Sequence, residues 1–238
     1  MVEFVGRPTH GRTFSSTRTV YLGDAGVNAE LRVDGLARFL QDVASDDWAD
    51  SGINADDFWL ARRTSWRLSP AGRWPRLNET VRLTTWCGGS GAAWAERRTD
   101  VEVDGQVMVE AASLWVPVGP EGRPRRVRAD FYDVYGEAAG GRKVSGRVSL
   151  TPVDPASSRR VWTIRRSDVD VVGHVNNAAV WCAVAEFVPT GIRAASVTHH
   201  SAIELEDAVT LLVNADHFWL TVSDEVRVSG DFETNRFS

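Results

Sequence analysis

The chain has 238 residues, 43% hydrophobic and 25% charged, with a formal net charge of −5. That is apolar material enough for a core and permits one large domain or two of about 120 residues, while the acidic balance argues against generic nucleic-acid affinity. No apolar run approaches the roughly 18 residues of a membrane helix, residues 1–13 hold no signal-like apolar stretch, and Cys87 and Cys182 fit no metal or disulfide pattern, so the cytoplasm is the expected location.

In chain order, residues 18–22 read as a strand. Asp34 is placed to cap a helix running to about Asp50. Leu36, Phe39, Leu40, Val43, Ala44 and Trp48 recur on it at three- and four-residue steps, and Ser51-Gly52 stops it. Strands are predicted at 63–68, 79–86, 92–103 and 107–116, with Asp104-Gly105 as the turn of a hairpin. Residues 117–158 change character: Pro117, Pro120, Pro124, Pro152, Pro155 and Gly140-Gly141 mark a linker, with a local aromatic stretch at 131–135. The pattern then restarts. A strand is predicted at 159–166 and a buried Ala/Val-rich helix at 175–188. Further strands follow at 194–204, 208–214, 218–222 and 225–232. This is a weak repeat at an offset of roughly 145 residues, and each apolar helix needs a sheet to wrap it. Paired arginines at Arg62-Arg63, Arg97-Arg98, Arg125-Arg126, Arg159-Arg160 and Arg165-Arg166 read either as solvated strand faces or as a docking patch for an acidic partner.

Several chemistries lack their signatures. There is no G-x-S-x-G elbow, no phosphate loop and no dinucleotide fingerprint. His199 and His200 are adjacent, so on a strand they face opposite ways and cannot share a metal. His10 and His217 stand alone. No metal and no bound cofactor are expected.

One segment is dense in polar chemistry: Asp168, Asp170, His174, Asn176 and Asn177 lie within ten residues, between a strand and an apolar helix. A bland account has Asn176 or Asn177 capping the helix and Asp170 favoured by its dipole. A functional account explains more of the residues. A helix amino end suits the oxyanion of an attacked thioester, a carboxylate or imidazole beside it can take a proton from water, and Gly173 lets backbone approach the substrate.

Residues 167–177 resemble the D-x-D-x-x-G-H-V-N-N signature of hot-dog thioesterases. Residues 36–44, Gly52, Trp66, Pro75, the run 85–87, Arg97-Arg98 and Trp115 are similar in order and spacing to the acyl-acyl carrier protein thioesterases, so the resemblance covers roughly 12–232. It implies an α+β fold of two fused hot-dog units, each a curved antiparallel sheet around a central helix. The expected units are 12–118, on the acyl-channel side, and 159–238, on the catalytic side, with 119–158 as linker. It implies Asp170 and His174 as catalytic residues, with Val172 standing where the family has Asn. A catalytic Glu is expected on the following strand. Its place falls at Ile203, so Glu204 would serve through a bulge, and His199 or His200 could face the site instead. Backbone amides around Gly173 and Val175 are expected to hold the oxyanion, supported by Asn176 and Asn177. Phe39, Leu40 and Trp66 are expected to line the acyl channel. The implied reaction is hydrolysis of a fatty acyl thioester on acyl carrier protein. Alternatives are an acyl-CoA thioesterase and a non-catalytic acyl-binding protein, and either a monomer or a homodimer fits two fused units.

Overall fold

Ten strands join in a single antiparallel sheet in the computed structural model, which describes residues 2–53, 58–187 and 191–234. The first part of the chain supplies β1 (Thr13–Thr19), β2 (Phe58–Leu68), β3 (Thr80–Ser90), β4 (Ala95–Val103) and β5 (Gln106–Val118). The second supplies β6 (Ser158–Trp162), β7 (Ile192–His199), β8 (Val209–Val213), β9 (His217–Val222) and β10 (Glu225–Thr234). The order across the sheet is β1-β3-β4-β5-β2-β7-β10-β9-β8-β6. Read outward from the β2–β7 pair, both halves follow the same order, each with its own helix, α1 (Val33–Asp50) or α3 (Asn177–Phe187). This is the α+β arrangement of two fused hot-dog units that the sequence implied. At the seam Ser65 pairs with Ser196 and their hydroxyls lie 2.8 Å apart.

Period-two alternation decides which face is buried. Val81, Leu83, Val101 and Val109 in one half and Val197, Leu211, Leu220 and Val228 in the other point into a common core with α1 and α3. α3 is too apolar for a surface: Ala178, Val180, Trp181, Ala183 and Val184 are all buried. The opposite face carries charge and is covered by the amino-terminal segment and the linker. Arg98 donates to the Glu3 carbonyl, Arg67 lies 4.4 Å from the Phe4 ring centre, and Arg7 bonds Asp100 and Glu102. The Trp219 indole donates to the Thr151 carbonyl at 2.8 Å. No helix among the described residues is long and apolar enough to cross a membrane.

Several local expectations change. The first strand is Thr13–Thr19 rather than 18–22, because this polar run is an edge strand held by its ladder with β3. The strand expected at 159–166 ends at Trp162, and the one expected to reach Glu204 ends at His199. The helix end expected at Val188 lies outside the described residues. Asp104-Gly105 is the expected turn, with φ of 51° and 79°, the left-handed pair that a tight hairpin needs. Within the linker, the aromatic stretch forms α2 (Ala129–Tyr135), whose Phe131 and Tyr135 pack with Cys87, Ala95 and Val127 in a second core cluster. Several of the paired arginines are spent inside the molecule, Arg97 on Asp47, Arg98 on Glu96, Arg125 on Glu121 and Arg165 on Asp168, as is nearby Arg128 on Asp130.

Asp34 does not cap α1. Arg32 occupies the cap position with no side-chain cap bond, and the Asp34 carboxylate instead binds Arg32 and Arg38 at 2.7–2.9 Å. Burial alone would raise its pKa, but the two guanidiniums outweigh it and hold the group down from 3.8 to about 2. A depressed carboxylate stabilises the fold above its unfolded pKa and loses that contribution as pH falls through the folded value. Asp34 is therefore expected to contribute about 2 kcal/mol near neutrality. Denaturant midpoints for the protein and Asp34→Asn should converge from about pH 4 down to about pH 2, and a gap that stays constant with pH would refute the assignment.

Candidate active site

The polar segment before α3 is a backbone-ordered loop. The Asp170 amide donates to the His174 carbonyl, the Gly173 amide to the Asp170 carbonyl, and the Asn176 amide to the Asp168 carbonyl. Val169 and Val175 form a bridge, and Val175 donates to the Ile203 carbonyl. The loop before α1 repeats this pattern 144 positions earlier. There Gly26 donates to Glu30, Ala29 to Gly26, Arg32 to Asp24 and Leu31 to Pro75, and Ala25 and Leu31 form the matching bridge. Gly173 and Ala29 both adopt positive φ, 87° and 61°. Side chains distinguish the copies. Where the second loop has Asp170, Val172 and His174, the first has Gly26, Asn28 and Glu30.

Around the second loop is a cavity of about 190 Å³. Asp170, Val172, His174, Val175 and Asn177 line one side. Leu60, Ala61 and Arg62 of β2 line another, beside a register shift between Ala61 and Arg63, and His199, Ser201 and Ile203 complete it. The site thus lies on the seam and borrows a wall from the first half. Sequence reasoning missed Leu60, Ala61 and Arg62. They carry no motif, and only the long-range β2–β7 pairing brings them there.

Asp170 accepts from the Val172 amide at 2.9 Å and from the Asn176 side chain at 3.1 Å. A carboxylate has about four lone-pair sites, so it can still take a bond from water. Asn176 is a support residue, since its Oδ1 accepts from the Ala178 amide and so acts as the helix cap. Asn177 faces the cavity. The amides expected to hold an oxyanion are committed elsewhere: Gly173 to Asp170 and Val175 to Ile203.

Glu204 reaches the site without a bulge. The chain has left β7, and a tight turn in which Glu204 and Asp207 bond each other's amides and acceptors fixes it. Ile203 buries its side chain, and Glu204 turns outward so that its Oε1 lies 3.3 Å from His174 Nε2. Both side chains are about half exposed (47% and 55%), which puts the pair at the mouth. His199 follows Ala195 and Val197 on the core side of β7, opposite Val228 of β10, and lines the cavity, whereas His200 bonds Ser229 at 2.8 Å. Burial, then the positive charge of Arg62 and the nearby His200, drops the His199 pKa to about 4, so its ring is neutral near pH 7. Neither cysteine suits nucleophilic attack: burial pushes Cys87 up, and burial with Asp34 pushes Cys182 up to about 11.

A second, more apolar cavity of about 450 Å³ takes Phe58 and Trp59 of β2 into its wall, next in sequence to the Leu60, Ala61 and Arg62 that line the first. Ala44 and Trp48 of α1, Phe58 and Trp59 of β2, Trp115 of β5 and Phe131 of α2 are among its walls. Phe39, Leu40 and Trp66 do not line it. They are buried in the main core, where Trp66 lies against Trp74 and Trp181 at 5.0 and 6.1 Å between ring centres.

The ten-stranded sheet with its paired helices defines a double hot-dog protein. The profile described as the acyl-ACP thioesterase N-terminal domain matches residues 11–135, more than half of the chain. The chain belongs to the acyl-ACP thioesterase family, whose members are thioester hydrolases. An uncharacterised protein of Mycobacterium tuberculosis is 24% identical over 79% of this chain and 74% of its own length. The chloroplastic oleoyl-acyl carrier protein thioesterase of Coriandrum sativum is 25% identical over 75% of this chain, which spans about half (54%) of that plant protein. The fold matches that of the 12:0-ACP thioesterase from Umbellularia californica, with a TM-score of 0.77 at 18% identity, over 94% of this chain and 97% of that one.

Proposed function

We propose that the protein hydrolyses fatty acyl thioesters carried on acyl carrier protein and releases free fatty acid. The observation that carries this reading is the placement of Asp170 and His174 together in one cavity on the seam, with successive residues of β2 lining this cavity and a larger, more apolar one. The acyl tail lies in the larger cavity and the thioester carbonyl in the one on the seam. Asp170 and His174 orient a water and take its proton as its oxygen adds to the carbonyl carbon. The carbon–sulfur bond then breaks and the pantetheine thiol leaves with a proton. Glu204 sets the orientation of the His174 ring. With the Gly173 and Val175 amides committed, the oxyanion falls to Asn177 and the amino end of α3. The units 12–118 and 159–238, joined by 119–158, and a cytoplasmic setting belong to the same reading.

A second reading, acyl binding without turnover, is favoured by Val172, which is half exposed and offers no polar group. Thiol release from acyl-carrier and acyl-CoA thioesters across a chain-length series separates the readings. Faster release from the carrier substrates supports the proposal, and preference for CoA replaces the partner. Tight binding with no release at any length would establish the second reading. Narrowing the tail cavity with Ala44→Phe should cut activity on the longest accepted chain about tenfold while sparing shorter ones. An unchanged length profile would place the tail elsewhere.

A further inference from the structure

We infer that His199 is a further substrate-facing residue, whose imidazole donates a hydrogen bond through Nε2 to the thioester carbonyl oxygen. This rests on the hydrolytic reading of the seam cavity and adds a member to it from β7.

Most polar groups of the cavity are already committed. Asp170 already accepts two bonds, Asn176 is tied to Asp170 and to the Ala178 amide, and the Gly173 and Val175 amides are spent on backbone carbonyls. Arg62 donates to the His200 carbonyl at 3.1 Å. Val172 has only methyl groups to offer, Ser201 accepts from Arg227 at 3.1 Å, and Asn177 at the start of α3 is already assigned to the oxyanion. His174 and Glu204 hold each other at the mouth. His199 differs: it lines the cavity, yet its Nε2 is shielded from solvent and has no hydrogen-bond partner among the described residues. A shielded polar atom left unsatisfied is costly and uncommon in native proteins. A substrate oxygen relieves that cost. Because burial beside Arg62 keeps the ring neutral, His199 keeps one N–H to donate and exchanges no proton during turnover. A neutral imidazole is a competent carbonyl polariser.

Three variants and one spectrum test this. His199→Leu keeps the volume and removes the donor, and it should lower kcat about 10²-fold with KM nearly unchanged. His199→Ala should match it. His199→Gln restores an N–H at similar reach and should recover at least tenfold of the loss, which a packing role would not. A leucine variant as active as the parent, or a glutamine variant no better than leucine, overturns the inference. The independent measurement uses a dethia acyl-pantetheine ketone, which keeps the carbonyl and cannot be hydrolysed, with protein carrying ¹⁵N-histidine. Its binding should shift the His199 Nε2 resonance, assigned by its absence in His199→Gln. If no thioester releases thiol, the hydrolytic reading fails, and the spectrum still decides His199. Ketone bound without a shift at Nε2 refutes the role.

Discussion

Asp170→Ala is expected to lower kcat by about 10²–10⁴-fold while the protein stays folded. The two effects separate because of how the loop is held. Its shape comes from backbone bonds, Asp170 to His174 and Gly173 to Asp170, and from the Val175 bond to Ile203, none of which needs the carboxylate. The side chain contributes two bonds, from the Val172 amide and from Asn176. At this partly open site their loss costs about 1–2 kcal/mol, small beside the stability of a domain. In the proposed mechanism, water activation depends on Asp170 far more heavily, since the other nearby carboxylate, Glu204, stands at the mouth against His174. His174→Ala should cause a loss of the same order. The double variant should be little worse than either single one, since groups acting as a unit do not contribute additively. Retention of half the activity in Asp170→Ala, measured by thiol release, would remove the residue from the mechanism.

Asp47→Ala is expected to destabilise the fold by about 3–5 kcal/mol. Asp47 is 1% exposed on α1 and sits between two guanidiniums, Arg97 at 2.5 Å and Arg12 at 2.8 Å, and also accepts the Tyr135 hydroxyl at 3.0 Å. One carboxylate therefore ties the segment entering β1, α1, β4 and α2 together. Its removal leaves the nearly buried Arg97 without a counter-charge, and an unpaired buried charge is the costly outcome. For a chain of this size the melting temperature should fall by roughly 6–20 °C. Asp47→Leu combined with Arg97→Leu should regain part of the loss, because removing both charges is far cheaper than stranding one. A fall under 2 °C in the single variant would show the charges to be solvated rather than buried. Arg97 and Tyr135 also line the apolar cavity, so the same variant should broaden the range of chain lengths accepted.

Local pattern made much of the architecture legible. The steps from Leu36 to Trp48 marked α1, the Ala/Val run marked α3, and Asp104-Gly105 marked the β4–β5 turn. The density of Asp170, Gly173, His174 and the asparagines located the loop, and loops of this kind are built by short-range backbone bonds. What stayed illegible depends on contacts far apart in sequence. The seam between β2 and β7 brings Ala61 and Arg62 to His174 with no local signal. Glu204 reaches His174 because β7 stops early and Asp207 closes a turn, an outcome that strand alternation does not contain. Thr13–Thr19 lacks an apolar stripe and is a strand only because β3 pairs with it. Phe39, Leu40 and Trp66 fill the main core while Trp48, Trp59 and Phe131 border the larger cavity, and hydrophobicity alone does not distinguish the two settings. The position of α2 against the end of the first half makes that distinction.

The two loops set 144 residues apart also bear on how such a protein can change. In an assembly of identical units, any substitution is copied into every site, so a residue useful for chemistry must also be tolerated wherever its twin falls. Here the twins are separate codons. Gly26, Asn28 and Glu30 bond among themselves or turn to their neighbours, and Asn28 holds Glu30 at 2.6 Å, while the same positions in the second loop carry Asp170 and His174. Under the proposed function, one half is thereby free to alter the shape of its cavity without disturbing a second copy of the reaction centre, and selectivity and turnover become separately heritable traits of one chain.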